Sequence, residues 1–314
     1  MTITTPALRC ANSVMAADAT HSKIVLLDTG NYPAYSNFLN ETWTFASGQW
    51  TNTGTTLIDA AGPLPGRVNG VMAWDGTNTM LFGGQGDSST TGVFQDTWVY
   101  NGTTWSKLTP ATIPFGRYNG QAAYVGSNKV VMFGGENLLY QAEETWLWDG
   151  SAQTWTQVTV ANGAGPAARI DSVMAGDATT KAILFGGQGT NSQFNDTWSY
   201  TVAAGWTKLA PTTSPSVRSN ACMSWDSTNS VFVMFGGKDE YNYLDETWTC
   251  TTAGVWTKVA VANGAGPSGR VGAQMAWDST SNKTIMFGGV NATDNMASNE
   301  TWSFDGGALA WTKL

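Results

Sequence analysis

The sequence predicts an all-β chain: a six-bladed β-propeller of four-stranded antiparallel blades, each contiguous in sequence. Three periodic signals carry that prediction. A Thr-Trp pair recurs as Thr42-Trp43, Thr97-Trp98, Thr145-Trp146, Thr197-Trp198, Thr247-Trp248 and Thr301-Trp302, at intervals of 48 to 55 residues. A second Trp follows each pair after seven to nine residues, at Trp50, Trp105, Trp155, Trp206, Trp256 and Trp311. Phe-Gly-Gly precedes the pair at Phe82, Phe133, Phe185, Phe235 and Phe287, while the first unit carries Leu27-Asp28-Thr29 there.

Within a unit, alternation and turn residues resolve four short strands, A to D. In the second unit strand A is Gly70 to Trp74, B is Met80 to Phe82, C is Thr97 to Tyr100 and D is Trp105 to Leu108. Asp75-Gly76 and Asn101-Gly102 supply the turns. Such a sheet, with a Trp on C and another on D, is apolar on both faces and must pack against copies of itself. Each buried Trp contributes on the order of 4 to 6 kcal/mol before conformational entropy is counted. Radial stacking buries all six sheets and leaves only short edges. The chain, residues 1–314, therefore divides into blades at about 6–57, 58–109, 110–160, 161–210, 211–261 and 262–314.

Composition narrows the partners. Charged residues make up 12% of the chain and the net charge is −8, which disfavours a nucleic-acid partner because phosphate contacts need Lys and Arg. No apolar run approaches the ~20 residues of a membrane helix, so no membrane insertion is expected. Met1 to Pro6 has neither the basic nor the apolar region of a signal peptide. Cys10, Cys222 and Cys250 form neither a disulfide framework nor a metal motif and read as buried small hydrophobes.

Two polar rows recur. Arg67, Arg117, Arg169, Arg218 and Arg270 stand five residues before the strand A Met or its equivalent, with Cys10 there in the first unit and Arg9 displaced by one. Two residues further on stand Asn12, Asn69, Asn119, Asp171, Asn220 and Gly272. Side chains two apart on a strand face the same way, so both rows are expected around the channel mouth as candidate binding residues. The residue before every Thr-Trp is acidic: Glu41, Asp96, Glu144, Asp196, Glu246 or Glu300. A bidentate pair between this acid and the Arg is the architectural reading of the same pattern.

Pro-x-x-Arg opening the unit, Phe-Gly-Gly closing strand B and the spaced Trp residues are the features through which the chain resembles the kelch-repeat family. The likeness runs from Pro6 to Leu314 and is strongest to bacterial-type six-bladed kelch propellers, in which Asp/Glu-Thr-Trp stands on strand C. The resemblance implies that strand A lines the central channel and that the B to C and D to A loops share the binding face. Many kelch rings close with a blade built from both chain ends. Here closure by packing of contiguous blades is expected, with Thr2 to Thr5 available as an edge contact.

Features shared by all units serve the fold, so specificity is sought in the B to C loops. Tyr32, Tyr35, Tyr140, Tyr241 and Tyr243 are the candidate binding aromatics there, with Phe38, Asp87, Phe94, Glu136, Phe194 and Asp294 nearby. Exposed Tyr beside amides and carboxylates suits a protein or glycan surface, although such rings also staple long loops.

No enzyme, cofactor or metal site is expected. His21 is the sole histidine, lacks a recognisable catalytic partner and cannot by itself supply a copper or iron site of the kind kelch relatives carry. A glycan-active enzyme, sialidase-like hydrolase or lyase, is the alternative, because two carboxylates suffice for glycoside chemistry. The leading expectation is a non-enzymatic binding or structural module, extracellular as an adhesin or virion-associated, compatible with a homo-oligomer or larger assembly. The duplicate Val160 to Pro166 and Val261 to Pro267, two units apart, raises a further alternative, an amplified or engineered scaffold without a ligand.

Overall fold

A computed structural model of the chain describes residues 12–28, 40–55, 58–59, 62–63, 66–86, 92–262, 264–293 and 295–314. Arg9, Cys10, Tyr32, Tyr35, Phe38, Asp87, Asp294 and Thr2 to Thr5 lie outside the described residues.

Six four-stranded antiparallel sheets form the blades of the propeller ring. Blade 1 comprises Val14–Asp18, Lys23–Asp28, Glu41–Ala46 and Gln49–Asn52. Blade 2 comprises Val71–Trp74, Thr79–Phe82, Thr97–Tyr100 and Trp105–Leu108. Blade 3 runs through Tyr118–Tyr124, Lys129–Glu136, Thr145–Asp149 and Thr154–Val158, and blade 4 through Val173–Gly176, Lys181–Phe185, Thr197–Thr201 and Gly205–Leu209. Blade 5 holds Ser219–Asp226, Val231–Lys238, Thr247–Cys250 and Trp256–Lys258, and blade 6 holds Gln274–Asp278, Lys283–Phe287, Thr301–Asp305 and Ala310–Lys313. In blade 2 strands C and D match the sequence reading residue for residue, while A begins at Val71 and B at Thr79.

The core lies between blades. Strand A and B side chains alternate between the two neighbouring interfaces, as the two-residue period of a strand requires. Val71, Ala73, Met80 and Phe82 meet blade 3, whereas Met72 and Leu81 meet blade 1. Eleven of the twelve repeated Trp residues are buried, and Trp302 is partly buried against the cluster between blades 5 and 6. The strand D Trp packs edge-on against the Phe of Phe-Gly-Gly in the preceding blade, with ring centroids 5.3 Å apart for Phe82 and Trp155 and 5.2 Å for Phe133 and Trp206.

Every strand D Trp also donates its indole N–H to the Thr of Thr-Trp one blade back. The distances are 2.8 Å for Trp105 to Thr42, 3.0 Å for Trp155 to Thr97, 2.8 Å for Trp206 to Thr145, 2.9 Å for Trp256 to Thr197 and 2.9 Å for Trp311 to Thr247. Trp50 of blade 1 reaches Thr301 of blade 6 at 3.0 Å. Blade 1 thus joins blade 6 with the contacts used between all other neighbours, including an apolar cluster of Met15, Leu26 and Trp50 with Ala276, Ile285 and Phe287.

Phe-Gly-Gly has a backbone reason. Both glycines adopt positive φ, 69° and 102° at Gly83 and Gly84. A Cβ on Gly83 would stand 2.4 Å from the Arg117 carbonyl oxygen of the next blade, and the Gly84 N–H donates to that oxygen at 2.9 Å. The motif is therefore a place where two blades' backbones touch.

The described residues of the repeated Val-Ala-Asn-Gly-Ala-Gly-Pro segments, which leave out Asn263, occupy equivalent D to A connections. A Cβ on Gly165 would sit 3.4 Å from the Trp206 ring, and one on Gly266 3.3 Å from the Trp311 ring. Each segment covers the strand D Trp of the following blade.

Candidate functional site

The repeated Arg is buried in all five blades that carry it, 1 to 2% exposed. Arg67 and Arg169 grip Asp96 and Asp196 bidentately, at 2.6 and 3.1 Å and at 2.6 and 3.0 Å. The longer Glu side chains take one Nη2 each, at 2.9 Å for Arg117–Glu144, 2.7 Å for Arg218–Glu246 and 2.8 Å for Arg270–Glu300. Nη1 donates to the first glycine carbonyl of Phe-Gly-Gly in every case, for example Arg169 to Gly186 at 2.9 Å.

The strand C Trp completes the unit by donating to the acid, at 2.8 Å for Trp98–Asp96 and for Trp198–Asp196, and at 3.0 Å for Trp248–Glu246. Burial pushes Glu246 up, but hydrogen bonds from Arg218, Lys258 and Trp248 outweigh it and hold the carboxyl at about 2. Glu300 behaves alike at about 2, with burial opposed by Lys313, Arg270 and Trp302. In blades 2 to 6 Arg, acid and glycine carbonyl form one network, which the strand C indole joins except in blade 3, where the buried Trp146 N–H has no partner among the described residues; Arg67 Nε in blade 2 is likewise unpartnered.

The expectation that Arg and Asn side chains point together is corrected. Asn12, Asn69, Asn119, Asp171, Asn220 and Gly272 line the channel, and the arginines do not. All six have φ between 54° and 71°, in the left-handed region, which breaks the two-residue alternation that the expectation assumed. Asn, Asp and Gly tolerate this conformation best, so the restricted residue choice at this position was the signal. The backbone shape serves a bond between blades. Asn69 N–H donates to Asn12 C=O at 3.0 Å, and the series continues through Asn119, Asp171, Asn220 and Gly272 at 2.8 to 3.2 Å.

One member of the ring titrates, unlike its amide neighbours. Burial pushes the Asp171 carboxyl up to about 6, against a hydrogen bond from Asn220 and with help from the nearby Glu136 charge. Glu136 lies 3.5 Å from Asn119 Nδ2, on the same mouth. Inside the ring strand A lines a channel of about 420 Å³ that runs to the A to B turns at Ala19, Ala178, Ser227 and Ser279.

The B to C loops divide into stapled and presented rings. Phe94 and Phe194 cover the guanidinium faces of Arg67 and Arg169 at 4.2 and 4.1 Å, a cation–π contact that ties loop to blade. Tyr243 packs near Val290 and Ala297 and donates its hydroxyl to Asn295 at 3.1 Å, joining the loops of blades 5 and 6. Tyr241, in contrast, is 82% exposed, and Leu138, Leu139 and Tyr140 are 72, 89 and 43% exposed. Asn137 accepts from the Leu139 and Tyr140 N–H groups at 2.8 and 3.0 Å, and Asp239 accepts from those of Tyr241 and Asn242 at 2.8 and 2.7 Å. These Asx-turns fix the loop tips that hold the exposed side chains outward. Leu138, Leu139 and Phe115, 65% exposed on the adjoining D to A connection, were missed by a search for aromatic and polar residues in the B to C loops.

His21 has a partner after all: its Nδ1 lies 2.7 Å from the buried Asp18 carboxylate. The pair sits at the A to B turn, where the ring abuts Gly102 of blade 2, so a Cβ there would stand 2.7 Å from it. Sequence separation of three residues within a turn hid the contact. Cys222 and Cys250 are free and buried, and burial pushes both thiols up to about 12. Among the described residues no group of three or more His, Cys, Asp or Glu side chains gathers as a metal site.

Comparison with known proteins extends the reading. The KLHDC2/KLHL20/DRC7 Kelch-repeats domain matches residues 100–261 and 172–314. Proteins named tRNA wybutosine-synthesizing protein 4 are similar over part of the chain. The one from Emericella nidulans is 28% identical over 137 residues, 40% of this chain, and the one from Aspergillus oryzae 28% over 130 residues, 41% of this chain. The aligned part is 12% of either relative's length. A structure titled "Structure of YjhT" superposes with a TM-score of 0.74 at 17% identity, covering 99% of both chains, and shares the fold. With the family match spanning more than half of the chain and six four-stranded blades in the ring, this protein belongs to the kelch-repeat family.

Proposed function

We propose that the protein is a non-enzymatic binding module that docks another protein on its B to C loop face. The observation that carries this is the set of large apolar side chains held out by Asx-turns at the loop tips of blades 3 and 5, Leu138, Leu139 and Tyr241 foremost. Exposed Leu and Tyr on fixed loops have no packing role, and their ordering cost is met before binding. The buried Arg–acid pairs supply the rigid platform beneath.

Photo-crosslinking tests the reading. A photoreactive phenylalanine analogue at Leu139 or Tyr241 is expected to capture one and the same partner, and the same probe at Val202 or Val255, on the C to D turns, is expected to capture none. Equal capture at all four positions, or none at any, refutes it.

A glycan-active enzyme is the second reading, and Asp171 beside Glu136 on the channel mouth is the observation that favours it. A carboxyl titrating at about 6 suits a general acid. Against a sialidase form stands the burial of all five arginines, whose guanidinium groups are already paired. Turnover of aryl glycosides that disappears in Asp171→Asn and Glu136→Gln would establish this reading over the first.

A further inference from the structure

The sequence has 16 Trp, of which twelve belong to the repeat. Of the other four, Trp148 is buried and donates to Asp75 at 3.0 Å. The remaining three, Trp74, Trp225 and Trp277, occupy one position, the end of strand A, and Tyr124 occupies it in blade 3. All four rings are half-buried and line the channel at the mouth away from the B to C loops. Blades 1 and 4, opposite one another in a six-membered ring, carry Ala17 and Gly176 instead.

Blades 1 and 4 form the same four-stranded sheet without such an aromatic ring, so the blade itself does not demand one, although Tyr124 and Trp225 also pack against the clusters between blades. By blade order Trp74 and Tyr124 stand across the channel from Trp225 and Trp277, with small residues on the two blades between, and we term the space they border the slot. Three of the rings are fixed in place. Trp74 donates to Thr20 at 3.1 Å and packs 4.7 Å from Tyr124, and Trp225 packs 4.7 Å from Phe232.

Above the slot the channel offers neutral polar groups, Ser172, Ser224, Gln121 and Gln274 among them, and among the described residues neither Lys, Arg, Glu nor His lines it. Asp171 stands at the far end. We infer that this mouth is a binding site for a neutral saccharide, one pyranose ring of which enters the slot between the aromatic pairs. Aromatic faces match the C–H faces of a pyranose, while hydroxyls and amides match its hydroxyl edge. An anionic sugar would find no cation among the described lining residues. A quaternary ammonium would use the rings but leave the hydroxyl and amide groups without a partner. The channel volume of about 420 Å³ falls within the size range of small-ligand sites. The inference is independent of protein docking on the opposite face.

Saturation-transfer NMR on the full chain provides the test, with methyl glucoside, methyl galactoside, methyl mannoside and their β-linked disaccharides as probes, and sialic acid and choline as competitors. At least one neutral sugar is expected to receive saturation from the aromatic protons. Trp225→Ala with Trp277→Ala is expected to weaken that binding at least tenfold, and Tyr241→Ala to leave it unchanged. Ala17→Phe, which plugs one end of the slot without deleting any ring, guards against misfolding of the double variant and is also expected to abolish binding. Binding of choline or sialic acid in place of neutral sugars, binding lost in Tyr241→Ala, or no binding by any probe overturns the inference.

Discussion

The Trp50 indole N–H donates to the Thr301 hydroxyl at 3.0 Å, joining residues 251 positions apart and closing the ring. The same bond links every other neighbouring pair of blades, so closure uses an ordinary blade interface. Trp50→Phe loses the bond, leaves the buried Thr301 hydroxyl unpaired and removes part of the buried ring, and is expected to cost about 2 to 4 kcal/mol. Thr301→Val leaves the buried indole N–H unpaired, for about 1 to 3 kcal/mol. In a double-mutant cycle by denaturant unfolding the two effects are expected to be non-additive, and strict additivity would show that the bond does not contribute.

Removing one side of a buried ion pair is costlier than removing a surface one. Arg169→Ala strands Asp196, which is held low by Arg169 against the effect of burial, and is expected to cost about 3 to 5 kcal/mol. Arg169→Lys is expected to recover only part of this, because an ammonium cannot make the bidentate bonds and the Gly186 contact together. Thermal unfolding of the two variants against the parent chain checks both statements.

Two glycines of similar φ separate strain from collision. Gly205, φ 70°, has nothing within 4 Å of a Cβ, so Gly205→Ala is expected to cost only the left-handed backbone penalty of about 1 to 2 kcal/mol. Gly236, φ 72°, would place its Cβ 2.7 Å from the Arg270 carbonyl oxygen of blade 6. Gly236→Ala is expected to be clearly less stable than Gly205→Ala in the same urea titration. Equal losses would mean that the blades separate freely at this contact.

The pH dependence has two limbs of opposite sign. Asp171 titrates at about 6 when folded, above the ordinary carboxylate value, so the folded state binds an extra proton between about pH 4 and 6 and loses stability as pH rises through that window. Asp171→Asn, the amide already used at four ring positions, is expected to raise the melting temperature at pH 7 and to lose that advantage at pH 4. Glu246 and Glu300 are depressed to about 2, so their contribution is present above about pH 4.5 and disappears as pH falls toward 2. Melting curves of the parent and of Glu300→Gln between pH 2 and 7 are expected to converge at the acid end.

The repeat disclosed blade number, strand order and the Arg–acid pair, since a residue type that recurs at one place in unrelated loops answers to a local need repeated in every blade. Strands C and D of blade 2 were readable to the residue because Thr-Trp and the following Trp mark both ends of the hairpin. Contacts between units were not readable in that way. The Trp50–Thr301 bond, the left-handed Asn ring and the His21–Asp18 pair depend on which backbones meet and where a chain turns, and spacing along a strand carries neither. The candidate sites follow the same division. Tyr241 stands out on the Asp239 turn while Tyr243 is stapled to the loop of blade 6, and Trp74, Tyr124, Trp225 and Trp277 line one mouth because six strands A pack around one axis. Local sequence sets what each blade is; the closed ring sets which of its side chains are left to face a partner.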